Sequence, residues 1–209
     1  MTETISPPYR IETARSVVRC YNPVDAPLLT NAISQNLEHL RPWMPWIKNE
    51  PESVEEKAQR LRSYRSKFDL DKDYTFGVFS PDETELIGST GLHTRIGAQA
   101  FEIGYWVASA HANRGLATEV AAALVKVAFE ICKIERIEIR CDANNVASAR
   151  IPEKLGFTHD ATLRDRERNT NGELVGKMIW SLLAREYSGS PSAAAKVIAY
   201  DAMHKKVLP

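Results

Sequence analysis

Residues 101–118 read FEIGYWVASAHANRGLAT: an alternating strand, EIGYWVA, and then the loop SAHANRGLAT, which opens directly into a helix. The first turn of a helix carries backbone N–H groups without intrahelical partners and a partial positive charge, so it can hold a phosphate without any lysine. Gly115 and Ala117 are small enough to let a pyrophosphate reach the backbone, and Arg114 can add a charge-assisted contact. The same residues also suit an ordinary strand-to-helix turn in which glycine only relieves a bend. The neighbouring segments have to discriminate.

Downstream, Leu116, Val120, Leu124, Val127 and Ile131 share one helical face over residues 115–132, and IERIEIRCD then alternates as a strand, which implies a βαβ crossover. The next segment, NNVASARIPEKLGF, therefore starts on the same sheet edge as the first loop. Its Asn145 and Ser148, one turn apart, share a face and serve either as polar contacts between the two strands or as a helix cap and a surface serine. Asn171-Gly172, between TLRDRERN and LVGKMIWSLL, marks a hairpin.

Upstream, the period is two from Asp73 onward: YTFGVFS, ELIGSTGL and AFEIGYWVA read as an antiparallel meander. Earlier still, SVVRCYN (16–22) reads as a strand. Asp25 caps one helix whose apolar positions are Leu29, Ile33, Leu37 and Leu40 and which Pro42 ends, and Ser53 with Glu56 forms a capping box for a second helix running to about residue 68. Between these helices RPWMPWIKNEP carries Trp43 and Trp46 among three prolines, which exclude a regular element. After residue 187 a Ser/Gly/Pro linker leads to a short helix capped by Ser190, so the reading is one domain over 1–187 and a helical tail over 188–209.

The 209 residues are 44% apolar and 26% charged, with 27 Lys plus Arg against 27 Asp plus Glu. Zero net charge argues against a dedicated nucleic-acid binder. No window approaches the ~18 apolar residues of a membrane span, and MTETISPPYR lacks the apolar run of a signal peptide. Cys20, Cys132 and Cys141 form no CxxC pair and no cluster with histidine, which excludes a metal centre and points to free thiols in a reducing, cytoplasmic setting.

The order EIGYWV, RGLATE, CDANN and NxxSxxIPEKLGF resembles the GNAT superfamily of N-acetyltransferases, over about residues 9–185, and the WMPW loop with the EIGYWV and EKLGF signatures looks like the RimJ/RimL branch, which acetylates the N-termini of ribosomal proteins. The resemblance implies an α/β (α+β) fold whose central mixed, mostly antiparallel sheet is splayed between its fourth and fifth strands and flanked by helices. Acetyl-CoA would be the cosubstrate, with its pyrophosphate on Asn113, Arg114, Gly115, Leu116, Ala117 and Thr118 and its pantetheine arm along Trp106 and Val107. The N–H of Val107 would polarise the thioester. Asn145 and Ser148 would meet the arm or the sulfur. Two positions depart from the pattern: Ala112 stands where a Gln or Arg is usual, and Pro152 stands where many members have a tyrosine as general acid.

An α-amino acceptor of pKa near ~8 loses its proton at pH 7 for about 1.4 kcal/mol, whereas a lysine near ~10.4 needs about 4.6, so an N-terminal acceptor demands less of a base. Glu102 is the first candidate base and His93, on the adjacent strand, the second. His111 and Cys141 are weaker candidates for any catalytic part. Trp43 and Trp46 either line the acceptor pocket or pin their loop. The expected function is acetyl transfer to a primary amine by direct attack in a ternary complex, the acceptor being a protein or peptide N-terminus. A small amine (polyamine, amino acid or antibiotic) as acceptor and a non-catalytic acyl-CoA sensor are the alternatives, and a homodimer is left open.

Overall fold

The computed structural model describes residues 6–208; residues 1–5 and 209, the extreme ends of the expected domain and tail, lie outside the described residues. A short hairpin, β1 (Arg10–Glu12) and β2 (Val17–Cys20), is followed by α1 (Ala26–Ser34), α2 (Leu37–Leu40) and α3 (Val54–Asp69). The meander comes next: β3 (Tyr74–Phe79), β4 (Leu86–His93) and β5 (Ala100–Val107). Then follow α4 (Leu116–Glu130), β6 (Arg136–Asp142), α5 (Val146–Lys154), the hairpin β7 (Thr158–Arg168) and β8 (Leu174–Leu183), α6 (Ala184–Tyr187), β9 (Ile198–Tyr200) and β10 (Lys206–Leu208). One sheet joins the strands in the order β10-β9-β1-β2-β3-β4-β5-β6-β8-β7, and β5 with β6 is its parallel pair.

Alternation along the strands divides the core in two. Phe76, Val78, Leu92, Phe101, Ile103, Ile137 and Ile139 pack with Val120, Leu124 and Val127 of α4. Tyr21, Phe79, Leu86 and Trp106 pack with Leu29 and Ile33 of α1 and Leu61 of α3. The capping box is present: Glu56 N–H donates to Ser53 Oγ at 3.2 Å, and Ser53 N–H donates to Glu56 Oε2 at 2.7 Å.

Three local expectations need correction. The helix expected through Leu40 is broken after Ser34, because Asn36 turns its side chain to other work: its Nδ2 donates to Ala32 O at 2.8 Å, and its Oδ1 accepts from Ser109 N–H at 2.7 Å, tying the helix end to the loop after β5. Asp25 does not cap α1 with its side chain; Arg19 holds that carboxylate at 2.8 Å. The tail expected as a linker and helix beyond the domain forms a four-residue 3-10 turn, Pro191–Ala194, and then two strands that extend the sheet. Its Val197, Ala199 and Leu208 are buried, so the β1 edge and the apolar core offered more than a free helix would bury.

Candidate active site

The sheet face toward α1 and α3 carries the site, and cross-strand register sets its floor in three rows. Gly77, Ser89 and Trp106 lie opposite one another on β3, β4 and β5; the next row is Thr75, Gly91 and Gly104; the last is His93 opposite Glu102, with Asp73 just ahead of β3. The middle row has two glycines, and the His93 imidazole folds over them. A Cβ at Gly91 would lie 2.7 Å from His93 Nε2, and one at Gly104 would lie 3.3 Å from it. The two missing side chains are what give the ring its seat.

Above this floor is a cavity of about 990 Å³, walled by Leu29, Ile33, Tyr64 and Trp46 and rimmed by Trp43 and the β7–β8 turn at Glu167–Thr170. Trp46 also packs on Trp106, ring centroids 6.4 Å apart, so it both lines the cavity and pins its loop. The hydroxyl of Tyr21 is buried at the far end, without a hydrogen-bond partner among the described residues.

The β5–β6 ladder runs from Ala100↔Arg136 to Ile103↔Ile139 and stops, although β5 continues to Val107 and β6 to Asp142. The strands therefore part into a wedge. Ala108 N–H donates to Ile87 O of β4 at 2.9 Å, so alternation turns the N–H groups of Tyr105 and Val107 toward β6, where no ladder partner meets them. Trp106 points its main chain to β4 and its side chain into the core. At the wide end of the wedge the loop enters α4 through two left-handed residues, Asn113 (φ 57°) and Gly115 (φ 80°). That conformation favours glycine, and a Cβ at Gly115 would meet only Arg15 Nη2, at 3.7 Å, so the approach to the helix start is open. Unpaired strand donors leading to an open helix N-terminus fit a long, amide-bearing ligand that ends in phosphates.

Electrostatics separate the two expected bases. His93 Nδ1 is 2.9 Å from Asp73 Oδ1, leaving Nε2 over the glycines. Burial raises the Asp73 carboxyl, but His93, the Thr94 backbone N–H and the Arg95 charge together hold it below its ordinary value. Glu102 is clasped by Arg95, at 3.0 Å (Nε–Oε2) and 2.5 Å (Nη2–Oε1), with Arg140 4.0 Å away. Burial raises Glu102 as well, yet Arg95, with Arg140 and His93, brings it below the usual carboxylate range, a poor setting for taking up a proton.

Across the wedge, the Tyr105 hydroxyl meets Ser148 Oγ at 3.2 Å. Burial pushes the Tyr105 phenol far up, so it stays protonated, and burial likewise raises the Cys141 thiol. Asn145 is the cap of α5, its Oδ1 accepting from Ser148 N–H at 3.0 Å. Asp73 and Tyr105 escaped the sequence reading. The period-two pattern around Asp73 marked it as a strand entry, and only the register opposite His93 could have paired the two. Among the described residues no group of three or more His, Cys, Asp or Glu could hold a metal, and no helix is long and apolar enough to cross a membrane.

Comparison with known proteins gives the family. A family model described as an acetyltransferase (GNAT) domain matches residues 15–158. The Bacillus subtilis protein named probable N-acetyltransferase YjcK is 35% identical over 114 residues, 54% of this chain, and the match spans 63% of that relative's length. The ribosomal protein uS5-alanine N-acetyltransferase of Escherichia coli is 28% identical over 162 residues, 76% of this chain and 83% of the relative. Mycobacterium smegmatis RimJ, solved in complex with CoA-disulfide, superposes with a TM-score of 0.79 over 90% of this chain and 94% of its own, at 22% identity, a likeness of fold.

Proposed function

Because this chain belongs to the GNAT family of acetyltransferases, we propose that it transfers the acetyl group of acetyl-CoA to the α-amino group of a protein or peptide N-terminus, of the kind ribosomal proteins present. The observation that carries the reading is the convergence at Gly104. Unpaired strand donors face the wedge beside it, and the His93 ring lies over it from the cavity. A thioester held from one side and an amine brought in from the other would meet there. The cavity, about 990 Å³ and rimmed by Trp43 and the β7–β8 turn, has room for a chain end.

Residues 113–118 hold the pyrophosphate at the start of α4. Val107, nearer that end, pairs with the pantetheine arm, and the N–H of Tyr105, nearer the apex, stabilises the charge that develops on the thioester oxygen. This moves the polarising donor from Val107 to Tyr105, since the thioester lies at the end of the arm remote from the phosphates. His93 Nε2 takes the proton of the attacking amine while Asp73 accepts from Nδ1 and holds the ring. Glu102, paired with Arg95, shapes the field beneath it rather than acting as base. The Ser148 and Tyr105 hydroxyls hydrogen-bond to the departing thiolate, which takes up a proton from solvent as His93 gives up the one it received, so the part Pro152 cannot play needs no tyrosine acid. With the Cys141 thiol raised by burial, transfer is direct, in a ternary complex. Trp43 and Trp46 line the acceptor's path.

The test is CoA-thiol release from acetyl-CoA with free-N-terminus peptides, polyamines and amine antibiotics, against an acceptor-free blank. Release with peptides, lost roughly 100-fold or more in His93→Ala, is expected. Release only with small amines would overturn the acceptor reading, and a flat panel would overturn the activity.

A further inference from the structure

The phosphate loop lacks the Gln or Arg that the motif leads one to look for at position 112, yet a guanidinium stands at the loop. Arg15 occupies the turn of the β1–β2 hairpin. Its Nη1 donates to Arg114 O at 2.7 Å, its Nε to Glu119 Oε2 at 2.7 Å, and its own backbone N–H to Glu119 Oε1 at 3.1 Å. The turn is braced independently, Thr13 N–H donating to Ser16 O at 2.9 Å and Ser16 N–H to Thr13 Oγ1 at 3.1 Å. Nη2 is left beside Gly115, 3.7 Å from where a Cβ would be, and the side chain is 46% exposed.

We propose that Arg15 is a phosphate-binding residue of the acetyl-CoA site, supplying from the first hairpin the cation that position 112 lacks. The proposal rests on the reading of residues 113–118 as the pyrophosphate loop. One arm of the guanidinium holds the Arg114 carbonyl, which keeps the loop open through its left-handed residues, and the free Nη2 faces the ligand side of the same turn. Because Glu119, the braced hairpin and the Arg114 carbonyl already fix the guanidinium, little side-chain freedom is lost when a phosphate docks. A planar fork can hold carboxylate, carbonyl and phosphate at once, which an ammonium cannot.

The experiment is calorimetric titration of the full chain with CoA, for wild type, Arg15→Met, Arg15→Lys and Glu119→Gln, together with turnover of acetyl-CoA and of S-acetylpantetheine, which has neither the diphosphate nor the nucleotide. Arg15→Met is expected to raise the Kd for CoA roughly 10-fold, with a shallower dependence on salt, and Arg15→Lys to recover part of it. Turnover of S-acetylpantetheine should be unchanged. Glu119→Gln keeps one of the two hydrogen bonds, since an amide has a single acceptor oxygen, and removes a competing negative charge, so CoA binding should suffer less than in Arg15→Met. An unchanged Kd in Arg15→Met, an equal loss with S-acetylpantetheine, or a Glu119→Gln loss matching that of Arg15→Met would overturn the proposal and make the pair a brace of the hairpin. Failure of wild type to bind CoA would overturn the loop reading itself, and this proposal with it.

Discussion

Replacing Gly91 by Ala puts one methyl group under the His93 ring, and the structure sets the size of the effect. The new Cβ would lie 2.6 Å from Cε1 and 2.7 Å from Nε2. Ordinary contact needs about 3.5 Å, so the ring must retreat by roughly 0.8 Å. The Asp73 bond, now 2.9 Å, would open past hydrogen-bonding range if the ring lifted directly away from it. A misplacement near 1 Å at a reacting group costs on the order of 100-fold, about 2.7 kcal/mol in the barrier. At Gly104 the same methyl would meet Nε2 at 3.3 Å, a shift of only about 0.2 Å, so Gly104→Ala should stay within a few-fold of wild type. Gly91→Ala also brings its Cβ to 3.0 Å from Tyr74 O, a modest strain that a melting curve would register. Steady-state kcat with a peptide acceptor is the assay, run with His93→Ala and the double variant. If the methyl acts by displacing the ring, it should cost almost nothing further once His93 is alanine. An equal loss in both backgrounds, or an unchanged kcat in Gly91→Ala, would refute the seat and with it His93 as the base.

The remaining expectations are shorter. Glu102→Gln should lower kcat by less than ~10-fold, well short of losing a general base. Its stability effect has a definite sign: a carboxyl held below its ordinary value by Arg95 stabilises the fold above the unfolded value near ~4.3 and loses that contribution as the pH falls through the folded value. The melting temperature of wild type should therefore drop more steeply than that of Glu102→Gln on acidification from about pH 5, and parallel curves would contradict the pairing. Tyr21→Phe removes a buried hydroxyl that has no partner among the described residues, so its melting temperature should be equal to or above that of wild type, whereas a clear fall would reveal a partner. Deleting residues 188–209 strips β9 from the edge of β1 and removes Val197 and Leu208 from the core, a loss of about 3–6 kcal/mol in urea denaturation, and a midpoint equal to that of the full chain would show the tail to be dispensable.

Much of this fold was legible because its signals are local. The change of period at Asp73, the capping box at Ser53 and Glu56, the Asn171-Gly172 turn and the stripe of α4 each depend on neighbours within a few positions. The misread parts depend on partners far along the chain. Asn36 breaks its helix because its side chain reaches Ser109, 73 positions on, which no spacing within residues 25–41 could announce. The tail became strand rather than helix because an unpaired β1 edge was waiting for it, and β1 itself is three residues long, too short to show alternation.

The site follows the same division, and the division explains why His93 rather than Glu102 is the base we propose. Alternation along β5 put Glu102, Gly104 and Trp106 on one face, and that much needs only the strand's own sequence. Alternation says nothing about what stands across from each residue. Register does: it sets His93 beside Glu102, Asp73 beside His93, and two glycines beneath the imidazole, while Arg95, two residues beyond the end of β4, turns back onto Glu102. A carboxylate that is free in a list of residues is thus neutralised in the sheet, and a histidine that reads as a half-buried polar side chain acquires an anion behind it and open space before it. On the proposed mechanism, the identity of the reacting group is a property of the row across the strands, and the two glycines, which carry no chemistry of their own, leave the imidazole its place in that row.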